Sequence, residues 1–128
     1  MEHEPAEKSR ERVLVVVDDN DLADSVREVL EMNGATVATA TSAQQVEATL
    51  QGGFQPSVAL IDVRPGDGAV GDRAIASLRS VTPRLDVRIV KMSGDSQVLR
   101  ATQGADEELV KPFTADELVG RVMRRASS

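Results

Sequence analysis

The chain alternates short, fully apolar runs with longer stretches in which apolar residues recur every three or four positions. Val13-Leu14-Val15-Val16-Val17 is continuous and rich in β-branched side chains, the pattern of a strand buried on both faces. It stops at Asp18-Asp19-Asn20-Asp21. Leu22, Val26, Val29 and Leu30 follow at helical spacing, and Asn33-Gly34 supplies the stop. Thr36 to Ala40 reads as a second strand, and Ala43, Val46 and Leu50 as one face of a second helix closed by Gly52-Gly53. Val58-Ala59-Leu60-Ile61 is a third buried strand ending at Asp62, followed by the turn chemistry of Pro65-Gly66-Asp67-Gly68. Ala74, Ile75 and Leu78 mark a third helix. Val87 to Met92 reads as strand four, ending at Ser93-Gly94, and a short helical stretch from Ser96 to Gln103 stops at Gly104. Leu109-Val110 is a brief fifth strand. Thr114-Ala115-Asp116-Glu117 is a capping box for a last helix with Leu118, Val119, Val122 and Met123 inward.

Strand and helix thus alternate five times, which predicts a parallel sheet covered by helices on both faces. Right-handed crossovers leave few topologies. The 128 residues suit one domain, large enough to bury a core without disulfides or metal staples. The expected layout is a charged, flexible tail over 1–12, the domain over 13–125 and a short tail over 126–128.

Composition narrows the function. A net charge of −6 argues against gripping a nucleic-acid backbone, which needs a basic patch. With only Phe54 and Phe113 as aromatic residues, a base-stacking platform is not expected either. There is no cysteine, which excludes disulfides and Cys-based metal or redox sites and fits a cytoplasmic setting. No apolar run approaches membrane-spanning length. The single histidine, His3, lies in the tail and is assigned no role.

In open α/β sheets chemistry collects at the carboxyl ends of the strands. Asp18 and Asp19 follow strand one, Asp62 strand three, Ser93 strand four and Lys111 strand five. Two carboxylates ~5 Å apart repel by roughly 3 kcal/mol at an effective dielectric of about 20. Three together force a proton onto one of them unless a cation intervenes. Oxygen-only donors point to a hard ion, and few carboxylates with water and a phosphate oxygen suit Mg2+. Lys111 adds a fixed positive charge and Ser93 a hydroxyl donor. One nucleophilic carboxylate, one metal, one ammonium and one hydroxyl meet the needs of in-line phosphoryl transfer to Asp62.

These residues resemble the receiver domains of two-component response regulators, and the resemblance covers Val13 to Arg124. It is carried by Asp18-Asp19, Asp62, Ser93-Gly94, Gly104-Ala105 and Lys111-Pro112-Phe113, in that order on a (βα)5 pattern. The resemblance implies a flavodoxin-like three-layer α/β fold with strand order 2-1-3-4-5. It implies that Asp62 accepts a phosphoryl group from a phosphohistidine on a histidine kinase or phosphotransfer protein. It further implies that Asp18, Asp19, Asp62 and the Arg64 backbone carbonyl bear on Mg2+, and that Lys111 binds the phosphate. Lys111-Pro112 is expected as a cis peptide, and Ser93 is expected to turn toward the phosphate in the active state. Such a domain signals by phosphorylation without multiple turnover, and it passes the signal to a second copy or an output partner. Any DNA binding would lie outside this chain.

Four positions depart from the family's pattern. Pro65 comes three residues after Asp62 rather than four, which loosens the assignment of the metal-facing carbonyl to Arg64. The stretch from Ser93 to Gly104 is about one helical turn shorter than usual. Glu108 occupies the place of an aromatic switch residue, and Lys91 interrupts a strand that is usually apolar. The short stretch and Glu108 both fall on the family's common output surface. They motivate an alternative reading, a receiver-like interaction module that no longer uses phosphorylation.

Simpler readings compete. Asp18-Asp19 also suits a helix N-cap, which is compatible with metal binding. The basic residues Arg121, Arg124 and Arg125 read as favourable charge at a helix C-terminus. Gly66-Asp67-Gly68-Ala69-Val70-Gly71 matches a dinucleotide fingerprint, but Asp62 to Pro65 separates it from the strand and no acidic residue ends the next one. Asp19-Asn20-Asp21 resembles the D-x-D of haloacid-dehalogenase-type phosphatases, yet those need a further acidic pair on a strand beyond the lysine, and Asp62 would be idle. The resemblance places Arg64 and Asp95, two residues after Asp62 and Ser93, on either side of the site mouth, and their charges are opposite. If they pair and screen the acyl phosphate from water, Arg64→Ala or Asp95→Ala shortens the phosphate's lifetime. An unchanged decay rate would discard that role.

Overall fold

The structure, a computed structural model, describes residues 11–62, 69–81, 87–94 and 107–123. Five strands form one parallel sheet in the order β2-β1-β3-β4-β5. They are β1 (Arg12–Val16), β2 (Thr36–Ala40), β3 (Val58–Asp62), β4 (Arg88–Ser93) and β5 (Glu107–Val110). Among the described residues the helices are α1 (Asn20–Met32), α2 (Ala43–Gln51), α3 (Ala69–Val81) and α4 (Ala115–Val122). The expected parallel sheet with helices on both faces, and its strand order 2-1-3-4-5, hold. The helical stretch Ser96 to Gln103, Gly104-Ala105, the loop 63–68 and both tails lie outside the described residues.

The sheet is buried on both sides because its central strands are apolar on both sides. Val13 and Val15 of β1, Leu60 of β3, and Val90 and Met92 of β4 pack with Val26 and Leu30 of α1 and Leu118 and Val122 of α4. The alternate residues Leu14, Val16, Ala59, Ile61 and Ile89 pack with Val46 and Leu50 of α2 and Ala74, Ile75 and Leu78 of α3. A strand's period of two therefore divides one continuous apolar run between two cores. Burying each large side chain contributes about 1.5–3 kcal/mol. Val119 and Met123, expected to face inward, are half-buried at the margin of the α4 contact.

Strand limits shift from those the apolar runs suggest. β1 begins one residue earlier and β4 ends one residue later, at Ser93. The larger change is β5, which spans Glu107–Val110 rather than Leu109-Val110 alone. Its ladder to β4 pairs Val90 with Glu107 and Lys91 with Glu108, so backbone pairing extends the strand through residues with polar side chains.

Helix ends follow their local chemistry. Asp19 caps α1 and Ser42 caps α2, each accepting from backbone N–H groups of the first turn. Gly34 takes a φ of 96° just past α1, a conformation glycine adopts without steric cost. Thr114 and Glu117 form the expected reciprocal capping box on α4. The far end of α4 is fixed by a residue outside the helix. Arg88 donates to the carbonyls of Arg121 at 2.9 Å and Val122 at 2.7 Å, while pairing with Glu107 at 3.0 Å. Arg121 stands in the last turn of α4, as expected for charge at a helix C-terminus, and also reaches Glu107 at 3.5 Å. Arg88→Ala removes the nearer of two arginines from a mostly buried carboxylate and a donor from two helix-end carbonyls. It is expected to lower stability by about 1–3 kcal/mol in urea denaturation, and a loss within error of zero would remove the clamp from the account.

Candidate functional site

Register fixes what meets at the carboxyl edge. Val16 of β1 lies opposite Ile61 of β3, so the chain beyond β1 enters Asp18 and Asp19 one step past the level of Asp62. Asp62 lies opposite Met92 of β4, and Ser93 follows. Ser93 lies opposite Val110 of β5, and its carbonyl accepts from the Lys111 N–H at 2.9 Å. The parallel ladder thereby brings four strand ends to one edge from positions up to ninety-odd residues apart.

Asp62 is 5% exposed, with both carboxylate oxygens buried. Lys111 Nζ lies 3.0 Å from Asp62 Oδ1. The lysine is the more open partner, its side chain 29% exposed against 3% for Asp62. The ammonium therefore faces solvent while neutralising a carboxylate that water does not reach. A buried carboxylate is tolerated when such a charge stands beside it. Ser93 is buried at 3% exposure next to this pair. The Lys111-Pro112 peptide is cis, as the resemblance implied, and Phe113 packs against the α1–α4 core.

Asp18 and Asp19 are exposed. Asp19 Oδ1 accepts from the N–H groups of Asp21 at 3.0 Å and Leu22 at 3.3 Å, so the capping and metal-facing readings fall on one side chain. Among the described residues no three His, Cys, Asp or Glu side chains stand close enough to hold an ion by themselves. That arrangement fits the charges present: Asp62 is held by an ammonium and Asp19 by a helix terminus. Mg2+ commonly keeps several waters and takes only one or two carboxylates. The all-oxygen donors at this edge suit such an ion without a complete protein cage.

Of the remaining predicted residues, Arg64 and Asp95 lie outside the described residues. Glu108 is exposed on β5, beside Lys91 in the ladder. A wall of the site went unassigned in the sequence. Leu22, Gly94, Lys111, Pro112 and Phe113 line an open groove of about 510 Å³ at the site's edge. Leu22 carried only the signal of a helix face, and Phe113 that of a motif's last residue.

A doubly wound parallel sheet with a buried aspartate at the end of its third strand, an ammonium just after the fifth and an acidic pair just after the first defines the class of response-regulator receiver domains. Residues 13–123 match the response regulator receiver domain, and the chain belongs to that family. It is 34% identical over 123 residues to the transcriptional regulatory protein PrrA of Mycobacterium tuberculosis, covering 91% of this chain and 52% of PrrA. It is 35% identical over 116 residues to the C4-dicarboxylate transport transcriptional regulatory protein DctD of Rhizobium meliloti, covering 88% of this chain and 24% of DctD. The chain thus spans about half or less of the length of these relatives. Among solved structures, the response regulator TrrA of Thermotoga maritima in complex with Mg2+ and BeF superposes with a TM-score of 0.74 at 24% identity, covering 89% of this chain and 97% of TrrA. A receiver domain protein from Methanospirillum hungatei gives a TM-score of 0.71 at 24% identity, covering 88% of this chain and 90% of that one.

The contact between Asp62 and Lys111 sets a measurable coupling. Lys111→Met should destabilise the chain, because it strands a buried charge. Combined with Asp62→Asn it should cost less than the two single changes together, with a coupling of about 1–3 kcal/mol in urea denaturation. Strict additivity would mean that the pair contributes nothing to the fold.

Proposed function

We propose that this domain takes a phosphoryl group from a phosphohistidine of a histidine kinase or phosphotransfer protein onto Asp62, with Mg2+, and changes conformation in response. The observation that carries the reading is the buried Asp62 carboxylate with the Lys111 ammonium 3.0 Å away. A carboxylate oxygen of Asp62 attacks phosphorus, the bond from phosphorus to the imidazole nitrogen breaks, and the imidazole leaves. Lys111 is placed to follow the incoming negative charge from the carboxylate to a phosphoryl oxygen, since its Nζ is the solvent-facing member of the pair. Ser93, buried at the end of β4, offers a hydroxyl for a second phosphoryl oxygen, and its turn toward that oxygen is the conformational response. Mg2+ would be held at this edge by one or two of the carboxylates of Asp18, Asp19 and Asp62 together with water, and with the Arg64 carbonyl that the family resemblance implies. When bound, the ion offsets negative charge on the transferring group. The groove beside Lys111 leaves the site open to a donor from solvent.

The domain acts once per donor rather than turning over, so it should not hydrolyse a generic phosphomonoester repeatedly. No described helix is long and apolar enough to cross a membrane, in keeping with action in the cytoplasm. A second reading, an interaction module without phosphorylation, is favoured by Glu108, which stands exposed on β5 where the family carries an aromatic switch residue. Incubation with acetyl phosphate and Mg2+, followed by intact-mass measurement, separates the two. The expected result is a gain of one phosphoryl group that disappears in Asp62→Asn and without Mg2+. Persistent failure to gain mass would overturn the proposal in favour of the module.

A further inference from the structure

Among the described strands the sheet ends in two unlike ones. β5 carries Glu107 and Glu108, while β2 reads Thr36-Val37-Ala38-Thr39-Ala40, with no charge and no proline. Charged residues, prolines and bulges keep an outer strand from pairing with another chain. β2 has none of them, and its residues pair with β1 one for one, from Arg12 with Thr36 to Val16 with Ala40. Two backbone bonds fix which groups point outward. The Thr36 N–H donates to the Glu11 carbonyl at 3.0 Å, and the Ala40 carbonyl accepts from the Val17 N–H at 3.1 Å. In a parallel ladder a residue turns both backbone groups to one neighbour, and the next residue turns both the other way. Thr36, Ala38 and Ala40 therefore face β1, and Val37 and Thr39 present their N–H and C=O groups away from the sheet. Both residues are only half-buried.

We propose that β2 pairs antiparallel with β2 of a second copy of this chain, across a two-fold axis at Ala38. Val37 then exchanges both backbone bonds with Thr39 of the second copy, and Thr39 does the same with Val37 of that copy. Ala38 meets its own counterpart in the position without hydrogen bonds, where strands approach most closely and a small side chain fits. Val37 belongs to the α1–α4 core and Ala38 packs toward the α2–α3 core, so the β-branched pairs of Val37 with Thr39 lie together on one face. A contact of a strand with its own copy sets like side chains near one another. The glutamates of β5 would repel there, whereas β2 brings no charge to the contact. The net charge of −6 opposes approach at long range, so salt favours the pairing. Antiparallel pairing points the two carboxyl edges in opposite directions, and neither Asp62 nor Lys111 enters the contact.

The chain has no cysteine, so a single introduced one reports on the axis. Ala38→Cys in the full chain should give a disulfide-linked dimer under mild oxidation, because facing Cα atoms at such a position are about 4.5 Å apart. Thr36→Cys, exposed on the same strand, should stay unlinked, since its two copies would stand roughly 14 Å apart. If Ala38→Cys fails to fold, an equimolar mixture of Val37→Cys and Thr39→Cys carries the test, with linking between the two variants and not within either. In sedimentation velocity the wild type should associate about three- to tenfold more tightly at an ionic strength of about 0.5 M than at about 0.05 M. Thr39→Lys reduces the net negative charge and should still weaken association at least about tenfold, while Glu108→Lys should not weaken it. A folded Ala38→Cys that yields no linked dimer would overturn the proposal, as would linking equal to that of Thr36→Cys, which marks random collision. A wild type that is monomeric up to about 1 mM would overturn it too. So would association that survives Thr39→Lys and is lost in Glu108→Lys, which moves the contact to β5.

Discussion

The site depends on a carboxylate held out of water against an ammonium at the carboxyl edge of a parallel sheet. Asp62 alone at the end of β3 would be a buried charge with a large desolvation cost. Lys111 offsets that cost at 3.0 Å while keeping its own side chain partly in solvent. The pair therefore stabilises the resting fold and leaves a cation poised at the surface. Under the proposed function, an arriving phosphoryl group would meet a positive charge already in place and a carboxylate already paired with it. Stability and reactivity draw on the same contact, so changes at either residue should move both.

The sheet holds that contact in place. Asp62 and Lys111 are 49 residues apart in the chain and sit on strands separated by β4, whose Ser93 lies between their levels in the ladder. Three parallel strands in register bring these groups together, and two apolar cores fix the strands from either face. At the opposite edge Arg88 ties β4 and β5 to the end of α4. Ser57 does similar work for the central strands, donating to the Glu11 carboxylate at 2.7 Å and accepting from the Arg12 N–H at 3.0 Å. Function is gathered at one edge and polar fastening at the other.

Much of this was legible in the chain. Runs such as Val13 to Val17 and Val58 to Ile61 could hardly be anything but doubly buried strands, and each ends in acid. The strand order and the placement of Asp62, Ser93 and Lys111 followed from that pattern and its family resemblance. What stayed hidden was long-range or polar. β5 gains Glu107 and Glu108 through backbone pairing with β4, which side-chain patterning does not report. The Arg88 clamp joins residues more than thirty positions apart. Asp19 caps α1, one of the two compatible roles its position offered; that this side chain rather than Asp18 takes the cap is a matter of geometry.

The most direct test is to locate the modified atom. Borohydride reduces an aspartyl phosphate to homoserine, and peptide mass spectrometry then reads the position. After treatment with acetyl phosphate and Mg2+, the account predicts homoserine at position 62 and at no other acidic residue. Conversion at position 18 or 19 instead, or none anywhere in a folded protein, would contradict it.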